Sequence, residues 1–221
     1  MSELRTDEEQ AEMIKKWWSE NGTGVVSTIA VAVAGVTGWN FWQDSKQQSG
    51  EAASAVYTQL VQLAAQENTD ASAEMQGLAE QLKSEFASTA YADFGSLFIA
   101  RIAAENGDYE AAAAELEALV AEADAEPVKL TAQARLAAVL TQLGKADEAL
   151  AALPETADAA FAPQIEEARG DALFRKGELA DARDAYVRAL EAAQALGQNN
   201  SVLQRKIDSL NTPATPSSED A

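Results

Sequence analysis

The side chains that carry most acid–base, nucleophilic and metal chemistry are missing from this chain. It has no histidine and no cysteine. The first absence removes the commonest general base near neutral pH and the commonest metal ligand. The second removes thiol nucleophiles, disulfides and thiolate metal sites. What remains is carboxylate. Glu166-Glu167 and the pair Asp181/Asp184 are spaced to act together as acid and base or as ligands for a hard cation, provided apolar surroundings shield them. Both sets lie on strongly acidic helical stretches, where carboxylates form a solvated face. The glycines are spaced for helix ends and not for a phosphate-binding loop. No catalytic residue, cofactor or metal site is expected, and the chain reads as a non-enzyme.

Charge narrows the partners. Among 221 residues, 16 Lys and Arg face 36 Asp and Glu, a formal net charge of −20. Such a chain repels phosphate backbones, so nucleic acid is not an expected partner. The chemistry to look for is therefore recognition of protein or lipid.

The elements that would position a recognition surface are helices. From Gly50 onward the apolar spacing is helical and no stretch alternates like a strand. Val56, Leu60, Leu63 and Ala64 form one stripe. A break is expected over residues 67–70, and Met75, Leu78, Leu82 and Phe86 form the next stripe. Ser88 and Thr89 are placed to cap a third helix carrying Tyr91, Phe94, Phe98 and Ile102. A repeat then sets in. RIAAENGDYEAAAAELEAL, RLAAVLTQLGKADEALAAL and DALFRKGELADARDAYVRAL align on Gly107, Gly144 and Gly177. The spacings of 37 and 33 residues lie near the roughly 34 of a tetratricopeptide repeat. Each glycine is expected to end the first helix of a pair. Five residues on stand Ala112, Ala149 and Ala182, small enough for close packing. Nine on stand Leu116, Leu153 and Tyr186. Seven before stand Ala100, Ala137 and Gly170. Eight before, Ile99 and Leu136 fit but Arg169 does not. Pro127 and Pro163 suit the first turns of helices. A last repeat helix is expected over 181–195. A short amphipathic helix over 201–210, with Val202, Ile207 and Leu210, would cover the end of the stack. Residues 211–221 read as a disordered tail.

In stacked helix pairs the first helix of each lines the concave side. That register places Phe94, Leu97, Arg101, Ala134, Ala138, Thr141, Gln164, Glu167, Asp171 and Phe174 toward a candidate partner groove. Phe94, Leu97 and Phe174 read equally well as partly core. A groove of mixed apolar and acidic character suits a protein partner or unfolded chains. It lacks the Lys and Asn cluster that clamps a C-terminal carboxylate.

Ahead of the repeats lies GTGVVSTIAVAVAGVTGWNFW, from Gly22, with no charge until Asp44. Nineteen helical residues, 24–42, span roughly 28 Å, close to the hydrocarbon thickness of a bilayer. The four tryptophans flank it, Trp17 and Trp18 before, Trp39 and Trp42 at its end, where indole rings favour the membrane interface. The 23 residues before it are too long and too acidic for a signal peptide, so an uncleaved anchor is expected. Met13, Ile14, Trp17 and Trp18 share one helical face, an interfacial lead-in that Asn21-Gly22 should break or kink. Arg5, Lys15 and Lys16 precede the span and only Lys46 follows closely, which orients the N-terminus to the cytoplasm and the large domain outside, periplasmic in a Gram-negative cell. Ala30, Ala34 and Gly38 form a small-residue stripe: either a helix–helix contact in the membrane or merely the face of a weakly hydrophobic anchor.

The order of DEEQAEMIKKWWSENG, an apolar span closing in GWNFW and Ala-rich helical repeats resembles the YfgM family, ancillary subunits of the SecYEG translocon. The resemblance runs from about Asp7 to Leu210. It implies one anchoring helix in the inner membrane, repeats in the periplasm, and association with the translocon, the membrane-anchored periplasmic chaperone PpiD and nascent exported proteins. It also leaves room for a regulatory role on the cytoplasmic response regulator RcsB; a general envelope-assembly scaffold is a further alternative. The combined expectation is an all-α protein. A cytoplasmic juxtamembrane segment (1–23) and a transmembrane helix (24–43) precede a tetratricopeptide-like α-solenoid of antiparallel helix pairs (44–210) and the tail (211–221).

Overall fold

The computed structural model describes residues 7–66 and 72–211. Among them every regular element is α-helical. The chain divides into two units, one up to Ala52 and one from Ala53 onward. The first unit is helix throughout its described residues, the leading part of α1 (Asp7–Ala64). Asn21-Gly22 does not interrupt it, contrary to the local expectation. Asn21 Nδ2 donates to the Trp17 carbonyl one turn back at 3.1 Å, so the side chain spent elsewhere on making turns here reinforces the helix. The Trp18 indole lies over Gly22, where an added Cβ would meet it at 3.2 Å.

The second unit contains the end of α1 and α2 (Ser72–Glu85), α3 (Tyr91–Glu105), α4 (Tyr109–Glu122), α5 (Glu126–Gln142), α6 (Ala146–Ala152), α7 (Ala162–Lys176), α8 (Leu179–Ala195) and α9 (Ser201–Asn211). The expected break over 67–70 and all but the first residue of the expected tail lie outside the described residues. Ala53 and Leu60 of α1 pack fully buried with Ala79 and Leu82 of α2, joined by Val56, Met75, Phe86 and Phe98. Ser88 and Thr89 do not cap α3. Its N-cap is Ala90, and the Thr89 hydroxyl instead donates back to the Phe86 carbonyl at 2.9 Å, because the preceding chain stays in a tight turn against α2.

The repeat pairs α3–α4, α5–α6 and α7–α8 turn on one device. Gly107, Gly144 and Gly177 have φ of 81°, 77° and 89°, a left-handed region in which a Cβ would be strained. The glycine N–H bonds to Ala104, Thr141 or Phe174, and the next N–H reaches further back to Ala103, Leu140 or Leu173 at 2.8–3.0 Å. This paired closure satisfies the helix-end carbonyls and reverses the chain within a few residues. Gly197 repeats it with φ 72°, turning α8 into α9, a fourth occurrence that the alignment of three did not include. Ala112, Ala149 and Ala182 are fully buried, and Leu116, Leu153 and Tyr186 are almost so. Pro127 and Pro163 occupy the first turns of α5 and α7.

The second pair departs from the others. Its α6 has 7 residues, against 14 in α4 and 17 in α8, because the chain leaves the helix at Leu153 and meets Pro154. This explains the misfit at Arg169. Its Nη2 donates to the Pro154 carbonyl at 2.7 Å, a reach across the gap that the shortened helix leaves. At the end of the stack, Leu203 and Ile207 are buried while Val202 is exposed. The expected role of Val202 passes to its neighbour because Asn200 accepts from the Val202 and Leu203 amides at 3.1 Å and sets the rotation of the first turn.

Two glycines test the packing in opposite directions. A Cβ on Gly95 would lie 2.6 Å from the Ala79 carbonyl oxygen, whereas Gly77 faces open space. Gly95→Ala should cost about 1–3 kcal/mol, and Gly77→Ala should gain roughly 0.5–1 kcal/mol. Thermal melts of the full chain in detergent, followed by circular dichroism, measure both.

Candidate partner-binding surfaces

The described residues carry two surfaces suited to recognition, one in each unit. In the first unit, α1 holds the helix long and apolar enough to cross a membrane, and its most apolar window has no burial at all. Val31 is 73% exposed and Phe41 76%, a state that water does not favour and lipid does. Two hydroxyls along it are satisfied internally: Thr28 donates to the Gly24 carbonyl at 2.9 Å and Thr37 to that of Val33 at 2.8 Å. The aromatics pair, Trp17 with Trp18 at 6.5 Å and Trp39 with Trp42 at 5.1 Å between ring centroids. Lys46 Nζ lies 4.2 Å from the Trp42 ring. Ala30, Ala34 and Gly38 are exposed on this helix.

In the second unit the ten candidate groove residues meet different fates. Leu97 and Ala134 belong to the main core, and Thr141 is buried with its hydroxyl donating to the Ala137 carbonyl at 2.7 Å. Phe94 is half-buried in an aromatic cluster, 5.3 Å from Tyr57 and 6.2 Å from Tyr91. Gln164 is exposed, and Phe174 is 51% exposed. Arg101 and Ala138 line one recess of about 550 Å³. Arg135 lines it too. It lies three residues before Ala138 on α5, so helical periodicity could have signalled it.

Glu167 and Asp171 are brought together by a cation that the sequence reading did not connect to them. Lys206 of α9 reaches Glu167 Oε1 at 2.9 Å and Asp171 Oδ1 at 2.6 Å. Asp171 also accepts from the Tyr186 hydroxyl at 2.7 Å, and the ammonium lies 5.3 Å from the Tyr186 ring. Burial alone would pull the Lys206 pKa down, but the hydrogen bonds to Asp171 and Glu167 outweigh it and hold it above the ordinary value. Burial and the Asp171 carboxylate push Tyr186 up. Against the back of Tyr186 lies Gly170, where a Cβ would meet the ring at 2.5 Å. Glu166 is held by Arg188 at 2.8 Å and Arg169 at 3.3 Å. Asp181 and Asp184 are exposed. Among the described residues no three carboxylates converge where a metal ion could be held.

A tetratricopeptide repeat-like domain family matches residues 15–212. The chain is 32% identical to the ancillary SecYEG translocon subunit of Aggregatibacter actinomycetemcomitans, over 92% of this chain and 97% of that protein. The chain belongs to the family of ancillary SecYEG translocon subunits. The Haemophilus influenzae subunit is 30% identical, over 87% of this chain and 92% of its own length. The Escherichia coli subunit is 27% identical, over 95% and 99%. The family resemblance drawn from the juxtamembrane run and the repeats is thereby established, along with the all-α, repeat-based fold.

Within this translocon-subunit family fold, the Lys206 network predicts a pH dependence. Both raised groups favour their protonated forms in the folded chain, so their contribution is complete below the ordinary values of 10.0 and 10.5. It is lost progressively as the pH rises above them. The melting temperature of the full chain should hold from neutral pH to about 10 and then fall. In Lys206→Met that alkaline fall should be shallower, and melts across the alkaline range measure the difference.

Proposed function

We propose that this chain is a non-catalytic, membrane-anchored accessory protein of the Sec translocon. The observation that carries the reading is the exposed apolar face of α1, flanked by four tryptophans, in a chain whose relatives are named ancillary SecYEG translocon subunits. The helix over residues 24–43 spans the inner membrane. Arg5, Lys15 and Lys16 keep the N-terminal segment in the cytoplasm, and the repeats over 44–210 stand in the periplasm. There they bind a PpiD-like chaperone, newly exported proteins or both. Ala30, Ala34 and Gly38 serve as the close-contact face toward a membrane partner. The supports are the charge asymmetry, the small-residue spacing and the family membership.

The test is in-cell photo-crosslinking from probes at Trp39, Phe94 and Phe174, read by mass spectrometry. The expected products are translocon or chaperone membrane helices at Trp39 and periplasmic proteins at the other two positions. Cytoplasmic proteins at Phe94 and Phe174 would invert the topology and sink the role. Ala34→Leu with Gly38→Leu should reduce recovery of the translocon or chaperone on co-purification, and unchanged recovery would remove the stripe from the proposal.

A further inference from the structure

The repeat unit uses its scarce cations to tie neighbouring helices together. Lys83 of α2 holds Glu115 of α4 at 2.7 Å, and Lys176 of α7 holds Asp147 of α6 at 2.9 Å. Arg188 and Lys206 hold α8 and α9 to α7. Arg135 breaks this habit. Among the described residues no carboxylate lies within ion-pair distance of it, and its one hydrogen bond is a long one, 3.5 Å, to the Leu97 carbonyl. As a residue Arg135 is exposed, while its guanidinium reaches back to α3 at that carbonyl. Burial, and then the charge of Arg101, lower its pKa. Arg101 is engaged only by Glu105 on its own helix, in a pair whose side chains are both about half exposed. Such a pair is weak and readily exchanged for a better carboxylate. Arg101 and Arg135 line the same recess together with Glu105, and its apolar walls are Ala100, Ala104, Leu116, Ala138 and Val139.

Two arginines against one glutamate around a single apolar hollow, in a protein of net charge −20, leave an excess of positive charge that a bound carboxylate would relieve. Guanidinium is the side chain best matched to a carboxylate, through paired N–H donors. The alanine walls leave room for an aliphatic side chain and offer it no polar partner. We propose that this recess between α3 and α5 binds an extended acidic segment of a protein partner, with an aliphatic side chain between the alanines and a neighbouring Asp or Glu on Arg135 and Arg101. This deepens the reading of the repeats as a protein-binding domain and rests on it. It also replaces the expectation of a merely apolar and acidic groove with one that has a basic rim.

The experiment is fluorescence anisotropy on the full chain in detergent. The probe is a short labelled peptide with Leu and Val set among Glu residues, beside its Gln-for-Glu counterpart. The Glu peptide should bind more tightly, and added salt should weaken it. Arg135→Glu and Arg101→Glu should each weaken it about tenfold or more. Arg205→Glu changes net charge equally, at an exposed position outside the lining of the recess, and it should leave binding within about twofold. Ala138→Trp, which fills an exposed part of the recess, should abolish binding while the helical signal is unchanged. Equal binding of the Glu and Gln peptides would overturn the proposal. So would equal losses in Arg205→Glu and Arg135→Glu, or displacement of the peptide by inorganic phosphate or phosphatidylglycerol vesicles, which would make the recess a general anion site. Peptide binding by a chain that recovers no translocon would sink the accessory role and leave this inference standing. Loss of specificity with intact translocon recovery would do the reverse.

Discussion

The repeat unit depends on a backbone turn that only glycine makes without strain. At Gly107, Gly144 and Gly177 the chain enters the left-handed region, and two successive amides fold back onto the last turn of the helix. The reversal is then so short that the following helix has little freedom to choose its register. Its fifth residue past the glycine is carried into the axis of the hairpin, and an alanine fully buried there lets the two helices close. The ninth is carried to the far side of the same contact, where Leu116, Leu153 and Tyr186 fill the interior. A looser turn would uncouple these positions, and the stack would lose the regular spacing that presents one helix of each pair to a partner.

Electrostatics then select which parts of that surface remain available. With so few cations, the fold sets four of those in the repeats, Lys83, Lys176, Arg188 and Lys206, between helices. Lys206 spans two carboxylates on α7 and stacks over Tyr186, so α9 docks through charge as well as through Leu203 and Ile207. Two of the acidic positions that a repeat register assigns to a groove are thereby engaged within the fold. The Arg101–Arg135 recess is the counterpart, a small basic site on an acidic protein. Steering between oppositely charged surfaces speeds encounter more than it deepens affinity.

The first unit obeys a different solvent. An isolated helix with exposed Val31, Val36 and Phe41 has no stable place in water, whereas lipid suits a helix whose backbone is bonded within itself and whose Thr28 and Thr37 hydroxyls return to its own carbonyls. Family membership among ancillary translocon subunits gives that helix a membrane setting in which a partner is close at hand. On the proposed reading, association along it and association through the repeats would be separate events, with separate physical chemistry.

The sequence by itself determined the helical class, the repeat period, the glycines that end each first helix, and the buried alanines and large residues that follow them. These are local or periodic properties, written into neighbouring positions. It also marked the candidate membrane helix, because length, uniform apolarity and flanking tryptophans need no tertiary information. Tertiary structure decided the rest. Thr89 gives up its cap to a turn against α2. Val202 yields the interior to Leu203. Arg169 is explained only once α6 is seen to stop short at Pro154. Above all, the fate of the candidate groove was illegible along the chain. Whether Glu167 and Asp171 meet solvent depends on Lys206, 35 and more residues away, and Arg101 and Arg135 come together only when α3 and α5 stack. Charge pairing between distant segments depends on where the folded helices bring them, and no local pattern encodes that.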